Sequence, residues 1–275
     1  MPAINTNTAA NSAVRYLNIN SAQESSALSK LSSGSRITSA SDDAAGLAIS
    51  TRISSDITTL QQAATNTSEA TAVLQTADGG ASNISDILAR MKSLASESAS
   101  GTVTDSSRTY INSEFSQLTS EINSIASGTR YSGQSLLDGT SVFASGVSVL
   151  VGSQSTDTIT ITLSSLTASS LFAGATLDVS SQADANTALT ALDTAINTVS
   201  AARADIGAQE SRFNFSADSI STQTQNLQSA NSAISDVDIA SEQATLSSAE
   251  VKTQAAVSAE AAANQMPQYL LKLLG

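Results

Sequence analysis

The chain has 275 residues, a formal net charge of −12, and neither cysteine nor histidine. Those absences exclude a disulfide framework, thiolate chemistry, a Ser-His-Asp triad, an HExxH zinc site and any imidazole general base. Basic residues form no cluster, and none occurs between Arg130 and Arg203, so nucleic acid and anionic membrane are not expected partners.

Aromatics make up only 3% of the chain, and its two prolines, Pro2 and Pro267, lie near the ends. Alanine and short polar residues therefore fill the interior, which suits thin, closely packed helices and lacks the strongest helix breaker. The first eight residues have no basic n-region or apolar h-region of a cleavable signal. No run approaches the roughly 18 to 20 apolar residues of a membrane helix, so no membrane insertion is expected. Residues before about Asn11 are small and polar, and are expected to be disordered without a partner.

The first helical signal is Val14, Leu17, Ser21, Glu24, Leu28 and Leu31, stepping by three and four and stopping at Ser32-Ser33-Gly34. Ser39 or Ser41 is expected to cap the next helix, with Asp42 and Asp43 in its first turn at the positive end of the helix dipole. Its apolar row runs Ile49, Ile53, Ile57, Leu60, Ala64, Thr67, Thr71, Leu74, Ala77, Ala81, Ile84, Leu88, Met91 and Ala95. The alternation breaks at 49/53/57 and at 74/77/81, the latter at Gly79-Gly80, predicting one long helix with a local change of supercoil. After a loop over 100–106, Ile111, Phe115, Leu118, Ile122 and Ile125 mark a helix ending at Gly128.

Glycines then punctuate short β-type runs. Val147–Val151 and Thr158–Leu163 read as strands joined by a loop over 152–157, a small β-hairpin in a Ser/Thr-rich insert at 139–180. Beyond it, Ala185, Leu189, Leu192, Ile196, Val199, Ile206, Phe213, Ala217, Ile220, Leu227 and Ile234 keep an unbroken 3.5-residue period. That helix would be roughly 75 Å long and cannot bury its own stripe. Arg203, Glu210, Thr224 and Asn231 occupy the same row and either set register or face solvent. Asp236-Val-Asp238 has too little of a calcium loop to bind metal and reads as a break between helices. The last segment, from Ile239, is alanine-rich, with a narrow face of Ala244, Val251, Ala255, Ala259, Ala262, Met266, Leu270 and Leu273.

These elements predict a mainly α protein, a long α-helical coiled-coil bundle with both termini helical and a small β-hairpin insert. Residues 1–32 and 239–275 form a terminal coiled coil, 33–138 and 181–238 the long helical bundle, and 139–180 the insert. The terminal segments are too thin to be stable alone and gain stability when many copies pack, so the chain reads as a self-assembling rod. Asp42-Asp43 serves the helix dipole rather than a metal, and no catalytic residue, cofactor or metal site is expected. The sequons at Asn66, Asn83 and Asn214 fall in predicted helices and are chance matches.

The residues carry a resemblance. Leu31-Ser-Ser-Gly34 and Arg36-Ile-Thr-Ser-Ala-Ser-Asp-Asp-Ala-Ala-Gly-Leu-Ala-Ile49 resemble the amino-terminal signature of bacterial flagellins. Ala263-Asn-Gln-Met-Pro-Gln268 followed by Leu270-Leu271 is similar to their carboxyl terminus. Tyr131-Ser-Gly-Gln-Ser-Leu-Leu-Asp-Gly139 resembles a further family motif, with Ser132 where Asn is usual. The resemblance implies that the chain ends line a tubular filament, that the long helices and hairpin form the next shell, and that an insertion projects outward. It implies as partners further copies of the chain, hook-junction and filament-cap proteins, an export chaperone and the flagellar type III export apparatus. It also implies a secreted protein that acts mechanically rather than as an enzyme. A hook–filament junction protein of the same family, or a secreted coiled-coil adhesin, is the alternative. Some flagellins are sensed by an innate immune receptor through a run matched here by Leu88-Ala-Arg-Met-Lys-Ser-Leu-Ala-Ser-Glu97. Arg90, Leu94 and Glu114 keep that pattern while Ser93, Ser96 and Glu97 depart from it, implying reduced or absent recognition.

Overall fold

Seven helices and four short strands make up the described part of a computed structural model, which covers residues 6–274, with side chains described as far as Met266. The helices are α1 (Thr8–Ser33), α2 (Ala44–Ala99), α3 (Asp105–Gly128), α4 (Val142–Ser145), α5 (Ala168–Leu171), α6 (Gln182–Ser235) and α7 (Ile239–Leu274). The strands pair as two antiparallel hairpins, β1 (Arg130–Tyr131) with β2 (Gln134–Ser135), and β3 (Val147–Leu150) with β4 (Thr158–Ile161). The mainly α class and the 147–161 hairpin are as expected. Two compact units divide the chain, residues 1–55 with 226–275, and residues 56–225. Each of α2 and α6 contributes residues to both units.

In the first unit α1 lies antiparallel against α7. Helix α1 starts earlier than expected: the Asn7 side chain accepts from the Ala10 N–H at 3.0 Å, so Thr8, Ala9 and Ala10 are helical. At its end Gly34 takes a left-handed φ of 70°, a conformation that costs glycine nothing. The cap of α2 is also corrected, because neither Ser39 nor Ser41 supplies it. The Asp43 carboxylate accepts from the Gly46 N–H at 2.8 Å, while Asp42 accepts from the Ser39 and Thr38 N–H groups and the Thr38 hydroxyl. The Ser39 amide bond leads in holding the Asp42 carboxyl below the usual carboxylate range. Gly46 is required there: a Cβ would sit 2.9 Å from Ile37 Cδ1 and nearer still to the Asp43 carboxylate.

The second unit packs α2, α3, α6 and the insert around one core. Along α2 the buried row is Leu60, Ala63, Thr67, Ala70, Leu74, Ala77, Ala81, Ile84, Leu88, Met91, Ala95 and Ser98, an unbroken alternation of three and four. The expected break at 74/77/81 is therefore absent. Ala63 and Ala70 face the core where Ala64 and Thr71 were expected, and small neighbours at adjacent positions leave the phase ambiguous in the sequence. Gly80 is buried inside the helix because β1 and its flanks crowd it: a Cβ would lie 2.9 Å from Leu137 Cδ1 and closer to Thr129.

The insert folds onto the helices instead of projecting. Its apolar minority, including Phe143, Ile161, Leu163, Leu166, Leu171, Phe172 and Val179, is buried in the shared core. Helix side chains then bind its backbone. Asn66 donates to the Leu150 carbonyl, Gln209 bonds both the N–H and the carbonyl of Thr162, Asn123 accepts from Ala168, and Asn112 accepts from Val179. The β1–β2 hairpin, α4 and α5 are additions that the Ser/Thr-rich composition did not signal. Asp138 accepts from the Thr140 N–H and hydroxyl; the amide bond leads in holding its carboxyl below the usual range.

Candidate assembly faces

In the first unit, α1 turns Ala10, Ala13, Leu17, Asn20, Glu24, Ala27 and Leu31 inward, and α7 turns Glu242, Leu246, Ala249, Thr253, Ala256, Glu260 and Ala263 inward. Both rows step by three and four, the signature of a coiled-coil seam, and their many alanines let the helices approach closely. Asn7 Nδ2 donates to the Ala263 carbonyl at 2.8 Å and ties one end of the pair.

The other end is tied by two linkers that bond to each other. Arg36 N donates to the Ser235 carbonyl at 2.6 Å, and Val237 N donates to the Gly34 carbonyl at 3.1 Å. The Arg36 guanidinium donates twice to the Ile234 carbonyl, at 3.1 and 2.7 Å, and Ser35 Oγ donates to Ser235. A helix end leaves its last carbonyls unsatisfied, and here residues 35–36 supply the missing donors for α6. Asp238 then caps α7 by accepting from Ala240 N and Ser241 N. This accounts for a break at 236–238 that contains neither glycine nor proline.

The residues expected to drive self-assembly divide into two groups. Leu17 and Leu31 are half-buried in the α1–α7 seam. Val14 (38% exposed), Leu28 (58%), Val251 (69%) and Met266 (60%) are open, as are Ala255 and Ala259. Leu270 and Leu273 lie outside the residues whose side chains are described. Helix α7 thus carries two apolar rows, one against α1 and one of Val251, Ala255, Ala259, Ala262 and Met266 left uncovered. Sequence reading found the uncovered row and missed Leu246, Ala249, Ala256 and Ala263. The 3.5-residue period of the covered row was the available signal, masked by Thr253 and Glu260 within it.

The bundle row is placed as follows. Leu60, Leu88, Met91, Ile111, Phe115, Ile122, Leu192, Val199, Ile206, Phe213 and Ile220 are buried. Ile53, Ile57, Leu118, Leu189, Ile196, Leu227 and Ile234 are half-buried. On α6 the fully buried positions between them are Ala188, Ala195 and Ala202. Three of the four polar positions in the row bond across to α2. Arg203 donates to Asp78 at 2.8 Å, a bond that raises the guanidinium's pKa. Glu210 accepts from Gln75 at 2.9 Å, and Asn231 accepts from the Ser50 hydroxyl at 2.7 Å. Thr224 is half-buried. Of the candidate receptor contacts, Arg90 and Glu114 form an exposed ion pair at 2.6 Å, while Leu94 is buried at 2% exposure. Arg108, which the sequence did not single out, is buried and donates to the Ser98 and Ser100 carbonyls at the end of α2. Among the described residues no helix is long and apolar enough to cross a membrane.

Known proteins are similar to this chain in sequence and, over part of its length, in structure. The family profile described as the bacterial flagellin N-terminal helical region matches residues 4–142, and the C-terminal helical region matches residues 189–274. The chain is 36% identical to a flagellin of Halalkalibacterium halodurans over 98% of this chain and 99% of that protein. It is also 36% identical to the flagellar filament 30.7 kDa core protein of Treponema maltophilum, again over 98% of this chain and 99% of that protein. The crystal structure of Bacillus cereus flagellin is similar with a TM-score of 0.52 and 32% identity, over 61% of this chain and 94% of that one. With both helical ends matched in order and relatives aligned over nearly its whole length, this chain belongs to the bacterial flagellin family.

Proposed function

We propose that the chain is a structural subunit that polymerises into the bacterial flagellar filament and serves motility. The observation that carries this reading is the uncovered apolar row on α7, together with Val14 and Leu28 on α1. The α1–α7 pair has already used its other rows within one chain, so a second copy is the natural cover for what is left. Residues 1–32 and 239–275 form the inner tube on this reading, and residues 33–138 and 181–238 the outer tube, with the hairpin of the 139–180 insert in that same shell. The protein is exported by the type III apparatus with a chaperone and works outside the cell. It meets hook-junction and cap proteins at the filament's ends, and its work is mechanical rather than catalytic. Recognition by the innate immune receptor is weakened at Ser93 and Glu97, where the run departs from the recognised pattern.

Purified chain added to sheared filament fragments tests the proposal. Sustained elongation into long fibres is the expected result, and deletion of residues 240–275 should abolish it while the 56–225 unit stays helical. A chain that caps fragments without extending them is a junction protein. One that ignores them altogether is a secreted coiled-coil binder, and either result overturns the reading.

A further inference from the structure

We infer that Met266 is an oxidation-sensitive site at which a hydroperoxide switches off assembly of the free chain. The inference rests on the filament reading, because the switch acts through the uncovered row of α7. Met266 is 60% exposed on that row, in line with Val251, Ala255, Ala259 and Ala262. Met91, by contrast, is wholly enclosed in the core of the second unit, and Met1 lies outside the described residues. A dissolved oxidant therefore reaches the thioether of Met266 and not that of Met91.

The chemistry is a two-electron transfer. The sulfur lone pair attacks the outer oxygen of the hydroperoxide, the O–O bond breaks and an S–O bond forms. The departing oxygen takes up a proton, so hydrogen peroxide leaves as water. The product sulfoxide is strongly polar and chiral where the thioether was flexible and apolar. A neighbouring copy seated on Ala255, Ala259 and Ala262 would have to bury the S=O group without a donor, at the expense of an unsatisfied polar group. Assembly conversely shields the thioether, so the site is open in the free chain and closed in the filament.

The test uses the full chain treated with hydrogen peroxide, with peptide mass mapping beside seeded elongation. Met266 should gain one oxygen well before Met91, and the elongation rate should fall roughly tenfold or more. Methionine sulfoxide reductases should restore it, and Met266→Leu, whatever its own untreated rate, should keep that rate after peroxide treatment. Met266 inside finished filaments should resist the same dose. Elongation unchanged by full oxidation of Met266, or equal sensitivity in Met266→Leu, overturns the inference. So does equally rapid oxidation of Met266 in filaments. Failure of the untreated chain to elongate counts instead against the filament reading, which separates the two.

Discussion

The α1–α7 pair and the 56–225 unit share a 3.5-residue period and use it for different ends. In the central unit the period alternates alanines with large side chains such as Leu74, Leu88, Phe115 and Phe213, all enclosed, and most of the apolar content lies in the unit's own core. In the terminal pair the period is filled with Ala10, Ala27, Ala249, Ala256 and Ala263, and polar residues interrupt it. Leu17, Leu31 and Leu246 are the larger apolar groups that turn inward, while Val14, Leu28, Val251 and Met266 face outward. The period holds helices together, and the size of the residues in it decides whether apolar surface remains for another copy.

That contrast can be broken most severely in the central unit. Phe213→Ala empties one of the largest fully buried sites and should cost the unit about 3 to 5 kcal/mol, read as a lowered urea midpoint. Any loss of elongation would follow unfolding and should vanish at temperatures where the variant remains folded. Ala27→Leu makes the opposite point. Ala27 is enclosed in the α1–α7 seam, where three added carbons and their hydrogens would push the helices apart at a cost of about 1 to 3 kcal/mol. Seeded elongation should collapse while the thermal transition of the central unit stays where it was. A lowered transition, or normal elongation, would show that close approach of α1 and α7 is not what assembly needs.

Two adjacent glycines sharpen the account of the core. An alanine normally stabilises a helix interior by about 1 kcal/mol relative to glycine, and Gly79, with open space beyond its Cα, should show that gain. Gly80 should show the reverse, losing about 1 to 3 kcal/mol, because its Cβ would press on Leu137 and Thr129. Thermal melts of the two single variants should move in opposite directions. Equal shifts would mean that the β1–β2 segment gives way easily.

These glycines also mark what the sequence could convey. Period, helix extents and the 147–161 hairpin were legible because apolar spacing and glycine punctuation are local properties. Phase was not legible where two small residues are adjacent, as with Ala63 and Ala64, because either fits a seam. On α7 two apolar rows coexist, and only the position of α1 decides which is used inside the chain. The break at 236–238 was visible as a polar interruption, but part of its cause sits some 200 residues away at Ser35 and Arg36. The insert's part in the core was hidden by composition, since its few large apolar residues are spread through a Ser/Thr-rich stretch. The α7 row that the sequence singled out is the one that folding leaves uncovered.

The smallest effect should come from the turn between β1 and β2. Tyr131 pairs with Gln134, leaving Ser132 and Gly133 as a two-residue hairpin loop with φ values of 49° and 81°. Positive φ at both central positions is the mirror-image turn that suits the twist of a hairpin, and Asn-Gly is its preferred sequence. Serine lacks asparagine's tolerance of the left-handed region, so Ser132→Asn should stabilise the unit by about 0.5 kcal/mol. For a unit of this size the melting temperature should rise by roughly 1 to 2 °C. The side chain at 132 is exposed, so elongation should not change. A fall in melting temperature would mean that the serine hydroxyl contributes something other than turn geometry. No change would mean that the β1–β2 hairpin is held by Leu136 and Leu137 in the core, whatever its turn prefers.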